Sequence, residues 1–160
     1  GRPAEHLVPF GLTYVQFRRG DPLGLLMALT TLIPIALIVS YFSVLVTGRK
    51  AWVALAMAGQ LGNEVINFAL KKYIKEHRPH PCLSDGYGMP SSHSQFMLYF
   101  ATFTMLCLPP RTRGQLALVV FLYGTAVSVC YSRVYLGYHT AAQVLAGSSL
   151  GAVVGFGWYL

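Results

Sequence analysis

Charge is scarce in this chain. Lys, Arg, Asp and Glu together make up 11% of its 160 residues, against 54% hydrophobic ones. A soluble domain of this size carries about a quarter charged residues, so that class is excluded. Cysteine is rarer still, with three copies. Cys82 falls in a loop, Cys107 and Cys130 fall in apolar stretches, and no paired spacing supports a disulfide framework. His77, His80 and Cys82 lie close together, but Pro79, Pro81 and the lack of a fourth ligand argue against zinc. Internal repeats, low-complexity tracts and a signal peptide are also missing. The chain opens on Gly1 rather than methionine, the pattern of a trimmed piece, so the last absence decides nothing.

What the chain has instead is long apolar runs. Pro22 to Thr47 is 26 residues without a charge, and crossing a hydrocarbon core takes about 20. Ala51 to Leu70 is a second run, broken only by Glu64, and Gly114 to Ser132 and Thr140 to Leu160 are two more. Ser94 to Leu108 is shorter, with 15 residues, yet its uncharged flank and the Pro109-Pro110 stop fit a span accommodated by bundle neighbours. The expected fold is all-α: a polytopic membrane helix bundle of about five transmembrane helices. Residues 1–160 then form one membrane-embedded domain, with 1–21 as an N-terminal interfacial segment and no room for a soluble partner domain. The net charge of +7 sits in short segments between runs, which points to lipid phosphate at a bilayer and not to nucleic acid.

Alternating spans bring three motifs to one face. The second run delivers Lys71 and then Arg78-Pro79, Pro90-Ser91-Ser92-His93 opens the third, and the fourth returns Ser132-Arg133, with His139 opening the fifth. A phosphoryl group in transit carries charge on its non-bridging oxygens, and its transfer is catalysed mainly by positioning and electrostatic stabilisation. Lys71, Arg78 and Arg133 can supply the positive charge without a metal or other cofactor. Ser91 and Ser92 add hydroxyls and the free N–H groups of a helix start. His139 is available as nucleophile and His93 as general acid.

These residues resemble the type 2 phosphatidic acid phosphatase (PAP2) superfamily, whose pattern is Lys-x6-Arg-Pro, then Pro-Ser-x-His, then Ser-Arg-x5-His-x3-Asp. The match covers Lys71 to Gln143. More narrowly, Tyr87 to Phe96, Tyr131 to Leu136, Tyr138-His139-Thr140 and Asn63-Glu64 are similar to dolichyl diphosphate phosphatases of the eukaryotic endoplasmic reticulum. The resemblance implies a PAP2/haloperoxidase-like core and metal-independent hydrolysis of a polyprenyl (dolichyl) diphosphate to the monophosphate through a phosphohistidine. It also implies a lumenal site and a role in recycling the lipid carrier of N-glycosylation. By family role, Lys71, Arg78, Ser91, Ser92 and Arg133 bind phosphate, with Arg133 also counted as catalytic, His93 is the acid and His139 the nucleophile.

The chain departs from the pattern at Gln143, where the superfamily has an aspartate. The i,i+4 spacing puts Gln143 on the face of His139. Its amide oxygen can accept the Nδ1 proton but cannot stabilise an imidazolium as a carboxylate does. Glu64 is the expected substitute. Gln60, Asn63, Glu64, Asn67 and Lys71 form one polar stripe on the second run, and an ionisable residue inside a membrane faces a bundle interior or cavity. Glu64 is therefore expected to anchor Lys71 or Arg133, or to back His139. The stripe and the glycines Gly147, Gly151 and Gly155 also have a purely structural reading as helix-packing devices, and Ser91 and Ser92 one as helix caps.

Two alternatives stay open. One is a lipid phosphate phosphatase acting on phosphatidate or a sphingoid phosphate, the other a non-catalytic lipid-phosphate-binding protein, which Gln143 favours. Orientation is not legible from charge. Eight Lys and Arg fall on the site side against four opposite, and setting aside the three proposed phosphate ligands leaves five against four. Oligomeric state is not legible either.

Overall fold

The computed structural model describes residues 7–10, 15–80, 83 and 86–160. Gly1 to His6, Cys82 and residues 11–14, 81, 84 and 85 lie outside the described residues. A two-stranded antiparallel hairpin, β1 (Leu7–Phe10) and β2 (Val15–Arg18), precedes six helices: α1 (Pro22–Thr30), α2 (Ile33–Gly48), α3 (Ala51–Ile74), α4 (Ser92–Cys107), α5 (Arg113–Tyr135) and α6 (Ala141–Tyr159). The fold is helical, as expected, and the hairpin is an addition within the N-terminal segment.

The first apolar run is not one continuous helix. Pro34 has no N–H to give the Thr30 carbonyl, and its ring crowds that oxygen. The chain responds with two tight turns, Thr31 N–H to Ala28 O at 3.2 Å and Leu32 N–H to Leu29 O at 3.0 Å, before α2 begins. Among the described residues, three helical segments are long and apolar enough to cross a membrane: Pro22–Gly48, Arg113–Tyr135 and Ala141–Tyr159. Large apolar side chains nevertheless lie exposed on α3 as well as on these, among them Leu61, Val65, Phe121, Val127 and Val153. An apolar surface of that extent needs a non-aqueous cover.

Helix α4 is the axis of the bundle. Its Ser94, Gln95, Phe96, Met97, Tyr99 and Phe103 are all buried, and it packs on α6, α5 and α3. Contact with α6 is closest, because Gly147, Gly151 and Gly155 lie directly over the carbonyls of Ser91, Gln95 and Tyr99. These two rows share the i,i+4 repeat, so ridge meets groove along both helices. A β-carbon at Gly155 would lie 3.0 Å from Tyr99 O, and one at Gly147 or Gly151 would overlap the opposing carbonyl.

The polar stripe on α3 turns inward to α4. Asn67 Nδ2 donates to Gln95 Oε1 at 2.6 Å, and Gln95 Nε2 donates to Asn63 Oδ1 at 2.7 Å and to Asn63 O at 2.9 Å. Such interhelical amide bonds are worth about 0.6–2 kcal/mol each within a membrane. Gln60 is buried on the same stripe with neither amide atom paired among the described residues.

The glycine contact is testable by one methyl group. Gly151→Ala drives Cβ into backbone that cannot rotate away, so we expect a loss of about 1–3 kcal/mol, read as earlier thermal unfolding in detergent. Gly157→Ala, on the same helix with nothing within 4 Å of its Cβ, should leave the transition unchanged or slightly raised.

Candidate active site

Two loop connections at one end of the bundle, α3 to α4 and α5 to α6, carry the chemistry. Lys75 ends α3 in the left-handed region at φ 55°, with its N–H on Lys71 O. The chain then runs back beside the approach to α4: His77 bridges Tyr87 antiparallel, and Gly88 N–H donates to Glu76 O at 2.7 Å. At the end of α5, Gly137 takes φ 78°, a conformation open to glycine at no steric cost. The turn brings both Tyr138 N–H and His139 N–H onto Arg133 O at 3.1 Å, which fixes His139 beside Arg133. Thr140 then starts α6 with a reciprocal capping box, its hydroxyl accepting from Gln143 N–H and its own N–H donating to Gln143 Oε1.

The residues expected to share a site do meet. Arg133, His139, Lys71 and Arg78 are the charged neighbours of His93, and Arg133, Arg78 and Lys71 surround His139. Lys71 Nζ donates to Ser92 Oγ at 3.4 Å. The Arg133 guanidinium lies over the Tyr138 ring, 4.3 Å from its centroid, a cation–π platform. The Nε atoms of Arg78 and Arg133 are buried without a partner among the described residues. Unpaired guanidinium N–H groups inside a protein are costly unless an anion completes them. A phosphate has the matching acceptors.

Gln143 decides the tautomer of His139. Its Nε2 faces two acceptors, Glu76 Oε1 at 2.7 Å and His77 O at 2.9 Å. Its Oε1 faces Thr140 N–H at 3.2 Å and His139 Nδ1 at 3.2 Å. A backbone N–H can only donate and a carbonyl can only accept, so the amide has one consistent orientation. His139 Nδ1 must then carry the proton, which leaves the lone pair on Nε2. Gly88 makes room for this amide, since a β-carbon there would lie 2.6 Å from Gln143 Oε1.

One expectation needs correction and another narrows. Ser91 is completely buried and its N–H is already committed to Gln143 O at 3.1 Å, so that backbone group is not available to a phosphate. Its hydroxyl accepts from Ser94 Oγ at 3.1 Å, which leaves Ser92, bonded to Lys71, as the member of the pair at the cationic cluster. Glu64 lies about two helical turns below Lys71 and makes no hydrogen bond among the described residues, but it is a charged neighbour of Lys71, so of the expected roles only an electrostatic one toward Lys71 has a contact behind it. The carboxylate that reaches Gln143 is Glu76. It escaped the sequence reading because it sits inside the Lys-x6-Arg spacer and belongs to no motif; the one available signal was that it is an acidic residue in a basic segment.

Comparison with known proteins supplies the family. Residues 49–160 match the PAP2 superfamily model. The chain belongs to the PAP2 superfamily. It is 45% identical over 157 residues to dolichyldiphosphatase 1 of Dictyostelium discoideum, covering 92% of this chain and 69% of that one. It is 36% identical to lipid phosphate phosphatase gamma of Arabidopsis thaliana, covering 97% of this chain and 74% of that one. The fold matches a PAP2 type phosphatidylglycerolphosphate phosphatase from Bacillus subtilis with a TM-score of 0.69 at 24% identity, covering 88% of this chain and 77% of that one. The resemblance read from the motifs is borne out, and the protein is a multi-pass membrane hydrolase.

Burial, with Arg133 and Arg78 beside the ring, pushes His139 from the ordinary 6.5 down to about 3, against the opposing hydrogen bond of Gln143. Burial also lowers Arg78. An unfolded His139 binds a proton as pH falls through 6.5, while the folded ring stays neutral down to about 3. Proton uptake then favours the unfolded chain, so stability present above pH 6.5 is lost as pH falls below it. We expect a lower melting temperature at about pH 5 than at about pH 7.5 in detergent, and a smaller drop for His139→Gln. An equal drop in both proteins would assign the effect to other groups.

Proposed function

We propose that this single membrane-embedded domain crosses the bilayer five times, as α1–α2, α3, α4, α5 and α6, and hydrolyses dolichyl diphosphate to the monophosphate. The observation that carries the chemistry is His139 held with Nδ1–H on Gln143, its Nε2 lone pair free among Lys71, Arg78 and Arg133. The substrate class is supported by the relatives named dolichyldiphosphatase. The endoplasmic reticulum membrane and recycling of the N-glycosylation carrier are consistent with that name, and a lumenal site follows only from the motif resemblance.

In the first step the His139 Nε2 lone pair attacks the terminal phosphorus, an N–P bond forms and the bond from phosphorus to the bridging oxygen breaks. That electron pair leaves on the lipid monophosphate, with His93 as the proton donor. Lys71, Arg78, Arg133 and the Ser92 hydroxyl hold the non-bridging oxygens. In the second step His93 takes a proton from water as the water oxygen attacks phosphorus. The N–P electron pair returns to Nε2, and inorganic phosphate leaves. The residues need no metal for either step, since three cations already balance the diphosphate.

A lipid phosphate phosphatase is the second reading, favoured by the Arabidopsis relative's name. The two differ in leaving group. A lipid monophosphate departs readily, whereas an alkoxide needs the general acid, commonly worth about 10²–10⁴-fold. We expect purified protein in detergent with EDTA to release phosphate from dolichyl diphosphate, and His139→Ala to abolish release. His93→Ala should slow hydrolysis of phosphatidate more than that of the diphosphate. Preference for phosphatidate by the unaltered protein would move the substrate and keep the mechanism. No release from either lipid would leave a lipid-phosphate-binding protein.

A further inference from the structure

We propose that Glu76 is a positioning residue for the nucleophile, acting through the Gln143 side chain. This rests on the reading of His139 as the nucleophile. The contacts run in one direction: His139 Nδ1–H donates to Gln143 Oε1 at 3.2 Å, and Gln143 Nε2–H donates to Glu76 Oε1 at 2.7 Å. The second distance is short for N–H···O and typical of a bond to a carboxylate. As the N–P bond forms, the His139 ring gains positive charge. An amide alone offers a neutral acceptor. An amide whose N–H is held by a carboxylate is polarised toward its oxygen, because linked hydrogen bonds strengthen one another. The chain thus places its carboxylate one residue behind the position where the superfamily pattern has an aspartate, with the amide as the link.

The surrounding geometry supports this relay as a built arrangement. His77 O takes the second proton of Nε2 at 2.9 Å, and Thr140 N–H takes the remaining capacity of Oε1, so the amide cannot flip without breaking four contacts. The backbone pairing of Glu76 O with Gly88 N–H at 2.7 Å holds Glu76 in place, and Gly88 leaves the room Gln143 occupies. Glu76 itself is exposed, so solvent screens part of its charge and its effect is smaller than that of a buried carboxylate.

The test is a double-mutant cycle on dolichyl diphosphate hydrolysis. Glu76→Gln keeps an acceptor oxygen and lies at the surface, so the protein should fold, as thermal unfolding checks. We expect kcat to fall about tenfold with KM within about twofold, because Glu76 touches the nucleophile's support and not the phosphate. In the Gln143→Asp background the carboxylate meets Nδ1 directly, and the same Glu76→Gln change should then cost less than about twofold or raise kcat. An unchanged kcat for Glu76→Gln, a rise in KM alone, or the same penalty in both backgrounds would overturn the relay. If Gln143→Asp does not fold, Glu76→Asp decides: it keeps the charge and should retain more kcat than Glu76→Gln, and an equal loss would overturn the relay. Loss of His139→Ala activity with a failed cycle removes only the relay, whereas an inactive unaltered protein, or an active His139→Ala, removes both.

Discussion

The close approach of α6 to α4 is the constraint on which the site depends. Gly147, Gly151 and Gly155 put one helix against the carbonyls of the other, with no side chain between them. Their N-terminal ends therefore lie side by side, and Ser91 N–H can reach Gln143 O. One helix end carries His93 and the other follows His139, so the proposed acid and nucleophile are placed by backbone contact rather than by flexible side chains. A site built this way varies little, because the parts that would have to move are the axes of packed helices.

On that frame the site concentrates charge where water is sparse. Arg133 enters on the last turn of α5, Lys71 on the last turn of α3 and Arg78 from the returning strand-like segment. The hairpin closes one side, with Gln16 N–H on the Tyr138 hydroxyl at 2.8 Å and Val15 packed with Tyr138 and Leu83. Tyr138 in turn carries the Arg133 guanidinium on its ring face. The hairpin thus supports Arg133 through an aromatic intermediary. Asp21 joins the same end of the bundle twice, capping α1 at Gly24 N–H and accepting from the Tyr135 hydroxyl at 2.9 Å. The cationic groups repel one another, and an anionic substrate relieves that repulsion. Binding and electrostatic stabilisation of the transferring group therefore draw on the same groups.

Much of this was legible in the chain because membrane spans and phosphate motifs are local signals. Every predicted apolar run became helix, and Lys71, Arg78, His93, Arg133 and His139 came together as span alternation requires. What stayed hidden was non-local or one residue wide. The break between α1 and α2 falls at Pro34, within an otherwise uninterrupted apolar run. Glu64 stood out by its depth in an apolar run, yet depth says nothing about direction. Glu76 sits among charged neighbours in a loop, where an acidic residue carries no periodic signal, and its role exists only through a partner 67 positions away.

The sequence by itself determined the class of the protein, the helices and the candidate reacting groups. Hydrophobic run length and residue chemistry are properties a segment has before it folds. Tertiary structure alone decided which Gln143 amide atom faces His139, which carboxylate stands behind that amide, and which serine lies at the cationic cluster. Each of these depends on hydrogen bonds between segments far apart in the chain. Such bonds have one satisfied arrangement only after the glycine faces of α6 have closed on α4.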